Sequence, residues 1–328
     1  MQRRDFCRTA GLAALATTAP WAQAADEAFP SKPIKIIVPS PPGGQNDTLA
    51  RNIGVAASKT LGQPIVVDYK PGVGGSLGSE FVARSPADGY TLLISLSATL
   101  AVSSAVYSKL KYDPRADLRC VTEVILSRGV LVVNSALPIH DIQGLIAYSK
   151  ARPDQLAMAN WGLGSAAHTT QDILNRQFGA KLLQVPYKGE TQILTDLIGG
   201  QVGFAMLSAP TTQANLQGGK IRPIAIVGTQ RLAILPGVKT MTEQGFFHES
   251  WDMDGPLGLF APKDTPLPIL RKLNAAFAPA ATTPRMQAFA KEFGVTLLGN
   301  GLDDAQAHFL KYFDAIKKVT QATGVILD

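Results

Sequence analysis

In this chain of 328 residues, the residue types best placed for chemistry sit in glycine-rich turns that lead from an apolar run into a helical segment. The first is Pro39-Ser40-Pro41-Pro42-Gly43-Gly44-Gln45-Asn46-Asp47. Its prolines stiffen the loop, and Gly43 and Gly44 let a ligand come close to the backbone. The helix that follows offers unpaired N–H groups and the positive end of its dipole, which together favour an anion. Asn46 or Asp47 can cap it. Three more turns share this character: Lys70-Pro71-Gly72-Val73-Gly74-Gly75-Ser76, Trp161-Gly162-Leu163-Gly164-Ser165-Ala166-Ala167-His168 and Pro186-Tyr187-Lys188-Gly189-Glu190. A plain connecting turn explains each one taken alone. Four such turns in two halves of the chain point together to anion capture. Asp47 and Arg51 lie four apart on one helix face and form a local ion pair, worth about 0.2–0.5 kcal/mol. Trp161 either stacks on a ligand ring or covers a hinge.

Catalytic and cofactor signatures are missing from the sequence. The four histidines, His140, His168, His248 and His308, have no metal-ligand spacing, and no cysteine pair supports zinc. There is no nucleophile elbow and no phosphate loop, since Gly72 to Ser76 lacks the Lys-Ser/Thr ending. Gly72, Gly74 and Gly78 only approach the dinucleotide fingerprint. Ser165 and His168 give a nucleophile–base alternative, a secreted hydrolase or transferase, but a capping serine and a first-turn histidine explain them equally well. The expectation is a non-enzyme without metal or cofactor. Basic residues are dispersed despite a net charge of +6, which argues against nucleic acid.

The elements that must position these turns alternate. Strands are expected at 34–38, 64–68, 90–95, 130–134, 156–160, 182–186, 202–207 and 221–227, from short apolar runs. Leu49, Ile53, Ala57 and Leu61 recur at helical spacing, and Gly62 ends that helix. Further helices are expected at 141–150, 166–178, 190–198 and 209–216, with Gly179, Gly199 and Gly218 where they stop. After residue 262 the chain reads as helical, at 267–281, 284–293 and 302–320. This pattern is α/β, with parallel or mixed sheets covered by helices. The composition, 46% hydrophobic and 17% charged, supports about two domains. The N-terminus pairs Arg3 with Arg4, then runs apolar from Ala10 to Ala22 and ends Ala22-Gln23-Ala24, a twin-arginine type signal over 1–24 cleaved after Ala24. Cys7 falls inside it, and Cys120 reads as a buried thiol.

In order and spacing these motifs resemble the tripartite tricarboxylate transporter receptor family, also known as the Bordetella uptake gene family of periplasmic binding proteins. The residues that carry the likeness are Pro30 to Pro39, Pro42-Gly43-Gly44-Gln45-Asn46-Asp47 with Arg51, Pro71 to Gly75, Asp88-Gly89-Tyr90-Thr91-Leu92, Gly164-Ser165 with His168, and Pro186-Tyr187-Lys188-Gly189. Gly200-Gln201-Val202, Arg231, Leu235-Pro236 and Ala261-Pro262 extend it over nearly all of the mature chain.

The resemblance implies a type II periplasmic binding protein of the venus-flytrap kind. One α/β domain is expected from 25–128 with 251–328 and the other from 129–250. It implies a small di-, tri- or aromatic carboxylate met by backbone groups and waters, a monomer, and transporter subunits or a two-component sensor as partner. The ligand residues expected on this basis are Ser40, Gly43, Gly44, Asn46 and Asp47, flanked by Gly74 and Gly75, with Ser95 and Ser97 after the third strand. The second domain is expected to add Ser165, Ala166, His168, Tyr187 and Gly189, with Met206 and Ser208 at another strand end. Three positions depart from the family pattern: Gly203 replaces an aspartate, Ser40 replaces a common aromatic, and the segment from Trp251 to Pro256 is shifted.

Overall fold

A computed structural model describes residues 29–43, 45–161, 165–187, 190–248, 251, 255–322, 324 and 326. Residues 1–24, expected to be an export signal, lie outside them. The chain starts with β1 (Ile34–Val38), α1 (Gln45–Leu61), β2 (Ile65–Tyr69), α2 (Ser76–Ala83), β3 (Thr91–Leu96), α3 (Ser97–Val106), α4 (Pro114–Asp117) and β4 (Leu118–Ser127). It continues with β5 (Gly129–Asn134), α5 (Ile142–Ala151), β6 (Leu156–Asn160), α6 (Ala166–Arg176), β7 (Leu182–Pro186), α7 (Glu190–Gly199), β8 (Phe204–Ser208), α8 (Ala209–Asn215) and β9 (Ile221–Ile226). It closes with β10 (Gly255–Pro262), α9 (Leu267–Ala280), α10 (Pro284–Phe293), β11 (Thr296–Leu297) and α11 (Leu302–Ala322).

Two mixed sheets result, in the strand orders β11-β4-β10-β3-β1-β2 and β7-β6-β8-β5-β9. Alternation along each strand feeds two core layers per sheet. In β1, Ile34, Ile36 and Val38 enter one layer with α1, α9 and α10, while Ile37 enters the other with α3 and α11. In β5, Leu131 and Val133 face α5 and α6, whereas Val130 and Val132 face α7. Burial on both faces makes these strands read as continuous apolar runs.

The chain passes from the first sheet to the second at Arg128, between β4 and β5, and returns at β10. Those two crossings lie side by side, because β10 pairs antiparallel with β4 from Gly255↔Ser127 to Pro262↔Leu118. Most expected elements agree with the structure within two residues. The largest differences are β4, β10 and α3. No strand is expected from the sequence around Pro256 or Cys120; the first stretch is a buried strand and the second is its partner. Cys120 itself is fully buried, and burial pushes its thiol pKa well up.

Mid-strand, β4 carries the fully buried Glu123. Its carboxylate accepts from Asn300 Nδ2 at 2.8 Å and contacts His308 Nδ1 at 2.7 Å. Asn300 Oδ1 accepts the Glu123 N–H at 2.8 Å, so one side chain satisfies both backbone and carboxylate. Asn300→Ala leaves the buried Glu123 N–H without its acceptor and its carboxylate with His308 alone, and a loss of about 1–3 kcal/mol is expected. The midpoint of urea unfolding measures it; an unchanged midpoint would show that water replaces the amide.

Candidate functional site

A cavity of about 610 Å³ lies between the two sheets. From the first sheet's side it is lined by Gly43 and Gln45 at the start of α1, Leu96, Ala98 and Val102 from β3 and α3, and Tyr312 and Ile316 from α11. Ser127, Arg128 and Gly129 line it where the chain crosses, with Gly255 and Trp251 beside them. From the second side come Trp161, then Ala166, Thr169 and Thr170 of α6, Glu190 and Thr191 of α7, Met206 and Ser208 of β8, and Pro210 and Thr211 of α8.

The geometry of these walls favours an anion. The N-termini of α1, α3, α6, α7 and α8 all open onto the cavity. Each brings the positive end of its dipole and its first N–H groups. Two of the helices are capped from within: Ser165 Oγ accepts the His168 N–H at 3.2 Å, and Ser208 Oγ accepts the Thr211 N–H at 3.4 Å. The start of α3 has no side-chain cap, and the hydroxyl of buried Ser97 has no hydrogen-bond partner. Arg128 is buried and donates from Nη1 to Thr296 Oγ1 at 3.2 Å.

The expected ligand residues separate into groups. Gly43, Ala166, Met206 and Ser208 line the cavity. Gly44 and Gly189 lie outside the described residues. Ser40, Asn46, Asp47, Gly74, Gly75, Ser95, Ser97, Ser165, His168 and Tyr187 are not among the lining residues. Ser95 and Ser97 sit one position away from Leu96 and Ala98, which are.

Local bonding explains several of these placements. The Gly43 N–H is not presented to the cavity; it donates to Asp47 Oδ2 at 2.8 Å. Asp47 Oδ1 also accepts from Arg51 Nε and from the Tyr69 hydroxyl, each at 2.7 Å. Asp47 thus braces the first loop against α1 and β2. The glycine turn at Gly74 and Gly75, at φ of 59° and 92°, packs beside Tyr107 and beside Pro39 and Thr99. No β-carbon fits at neighbouring Gly78, where it would meet Lys70 O at 2.8 Å and Pro39 Cβ at 2.9 Å. This turn therefore seats α2 on the end of β1. Tyr187 sends its hydroxyl to Asp196 Oδ2 at 2.6 Å, and burial with that carboxylate raises its pKa to about 12. Burial also lowers the pKa of His168, against the opposing pull of Asp172.

Arg128, Glu190, Trp251, Thr169 and Thr170 were not among the expected ligand residues. Two signals were available for them. Arg128 is a charge between strand-like runs, and Ala166, Thr169 and Thr170 have the i, i+3, i+4 spacing of one helix face. Among the described residues no group of three or more His, Cys, Asp or Glu is arranged to hold a metal ion, and no helix is long and apolar enough to cross a membrane.

A two-domain α/β binding protein with its ligand cleft at the ends of strands is the class these features define. Residues 49–320 match the model of the tripartite tricarboxylate transporter family receptor, and the chain belongs to that family. It is 37% identical over 273 residues to protein BugT of Bordetella pertussis, covering 82% of this chain and 80% of the relative. A solved structure described as a periplasmic transporter superposes with a TM-score of 0.80 at 32% identity, over 92% of this chain and 100% of that one. An R. palustris protein solved with adipate superposes with a TM-score of 0.80 at 30% identity, over 91% of this chain and 99% of that one.

The Asp47 brace predicts a pH signature. Burial opposes its charge, but the hydrogen bonds from Gly43, Tyr69 and Arg51, with the Arg51 charge, outweigh burial and hold its pKa below the ordinary 3.8. A lowered folded pKa adds stability that is complete above the unfolded pKa and disappears as pH falls through the folded one. The stability difference between the natural protein and Asp47→Asn is therefore expected to stay constant from neutral pH down to about 5, then shrink toward pH 2. Denaturant unfolding at stepped pH checks this, and a difference independent of pH would remove Asp47 from the brace.

Proposed function

We propose that the chain captures a small organic carboxylate in the cavity between its sheets and hands it to the membrane subunits of a tripartite tricarboxylate transporter. The observation that carries this is the convergence of helix N-termini, with Arg128, on one cavity. Family membership and the likeness to a protein solved with adipate support the same ligand class. On this reading one domain comprises 25–128 with 251–328 and the other 129–250. They close about the paired crossings, and the protein acts as a periplasmic monomer. The bound acid leaves unaltered: Ser165 serves as a helix cap in place of a nucleophile.

A thermal-shift screen of mono-, di-, tri- and aromatic carboxylates tests the ligand class. A true ligand at about 100 times its dissociation constant adds about 2.7 kcal/mol of stability. Arg128→Ala is expected to weaken such a ligand by about 10–100-fold in calorimetry, as the loss of one charge-assisted bond does. Unchanged affinity in the folded variant would leave the helix ends as the anion site. Catalytic conversion of a hit, followed by mass and abolished by Ser165→Ala, would overturn the binding-only reading. Changing both Arg3 and Arg4 to lysine is expected to trap the precursor in the cytoplasm. Normal periplasmic levels in that double variant would assign export to the general secretory route.

A further inference from the structure

Arg128 and Glu190 are the charged groups among the described residues that line the cavity. A receptor for dicarboxylates has no use for an acid in its cleft, since like charges brought together in a desolvated site are penalised. Glu190 is held there firmly. It is the first residue of α7, and one carboxylate oxygen accepts the Ser208 N–H in a short bond while the other accepts the Ser208 hydroxyl at 3.1 Å. An ionised carboxylate offers about four acceptor sites. These contacts use two, which leaves acceptor capacity on a group that borders the cavity. Apolar side chains supply much of the remaining wall, including Leu96, Val102, Trp161, Met206 and Ile316. A second hollow of about 370 Å³ is also lined by Glu190, Thr191, Pro210 and Thr211, so the acid borders both.

Resting on the carboxylate reading above, we propose that Glu190 sets the ligand class: monocarboxylates with an apolar body whose far end carries a hydroxyl or ammonium donor, in preference to dicarboxylates. The ligand's carboxylate is drawn to Arg128 and the helix ends, and its donor completes the acceptor sites of Glu190. A second carboxylate at that end meets repulsion and supplies no hydrogen.

Calorimetry on the full mature chain with matched probes decides this. The probes are adipate against 6-hydroxyhexanoate and 6-aminohexanoate, and terephthalate against 4-hydroxybenzoate. In the natural protein the donor-bearing acids are expected to bind about 10–100-fold more tightly than the matched diacid, and Glu190→Gln is expected to narrow that ratio to about threefold, mainly by improving the diacid. The glutamine carbonyl still accepts from Ser208, and the ratio in the natural protein decides the matter even if the variant folds poorly. Diacids that bind the natural protein as tightly as their partners would overturn the proposal and leave the carboxylate reading standing. A ratio unchanged in folded Glu190→Gln would reduce Glu190 to a clip for Ser208. Binding of none of the probes would overturn the carboxylate reading and this proposal with it.

Discussion

Antiparallel pairing of β4 with β10 is the constraint on which the rest of the structure depends. Each strand carries the chain across between the two sheets, in opposite directions, so their ladder fixes both crossings at once. The residues at its end, Ser127 and Gly255, line the cavity, as do Arg128 and Gly129 just beyond. Little room exists there for change. A β-carbon on Gly255 would stand 3.1 Å from Ser127 O, and one on Gly129 would run into Met206. The buried Glu123 and Asn300 tie the same strand to the segment before α11, so the crossing is anchored by a satisfied polar cluster as well as by apolar packing.

The site follows from that anchoring. Strands of both sheets end toward the cavity, and the helices that come after them start there, so several dipoles point at one volume, with Arg128 the basic side chain among the described lining residues. The loops use their polar groups mostly on themselves: Asp47 takes the Gly43 N–H, Ser165 caps α6, and Ser208 both caps α8 and holds Glu190. These internal bonds make the walls rigid before any ligand arrives, which lowers the ordering cost of binding. On the proposed function, the uncapped start of α3 and the buried Arg128 are the groups that meet the ligand anion.

Much of this was legible in the residues. Apolar runs at 34–38, 156–160 and 182–186 coincide with strands, and Pro284 to Phe293 with a helix, because period and punctuation there agree with tertiary burial. The order of the glycine turns identified the family. β4 and β10 were harder to read. Arg119, Thr122 and Glu123 break the apolar pattern of one, and Pro256, Gly258 and Pro262 make the other look like a loop. Both are strands because they pair with each other across more than a hundred residues.

The sequence by itself determined the alternating α/β architecture, the motifs that mark the receptor family and the places where helices begin. These are local properties, set by side-chain period, turn chemistry and capping. Which groups face the cavity was decided only by the tertiary structure. Gly43 and Asp47 stand four residues apart, yet one lines the cavity and the other braces the loop behind it, because Arg51 and Tyr69 hold the carboxylate there. Arg128 and Glu190 are 62 positions apart in the numbering and line one cavity. That meeting depends on how two sheets are set across a pair of crossing strands, a relation that local pattern does not encode.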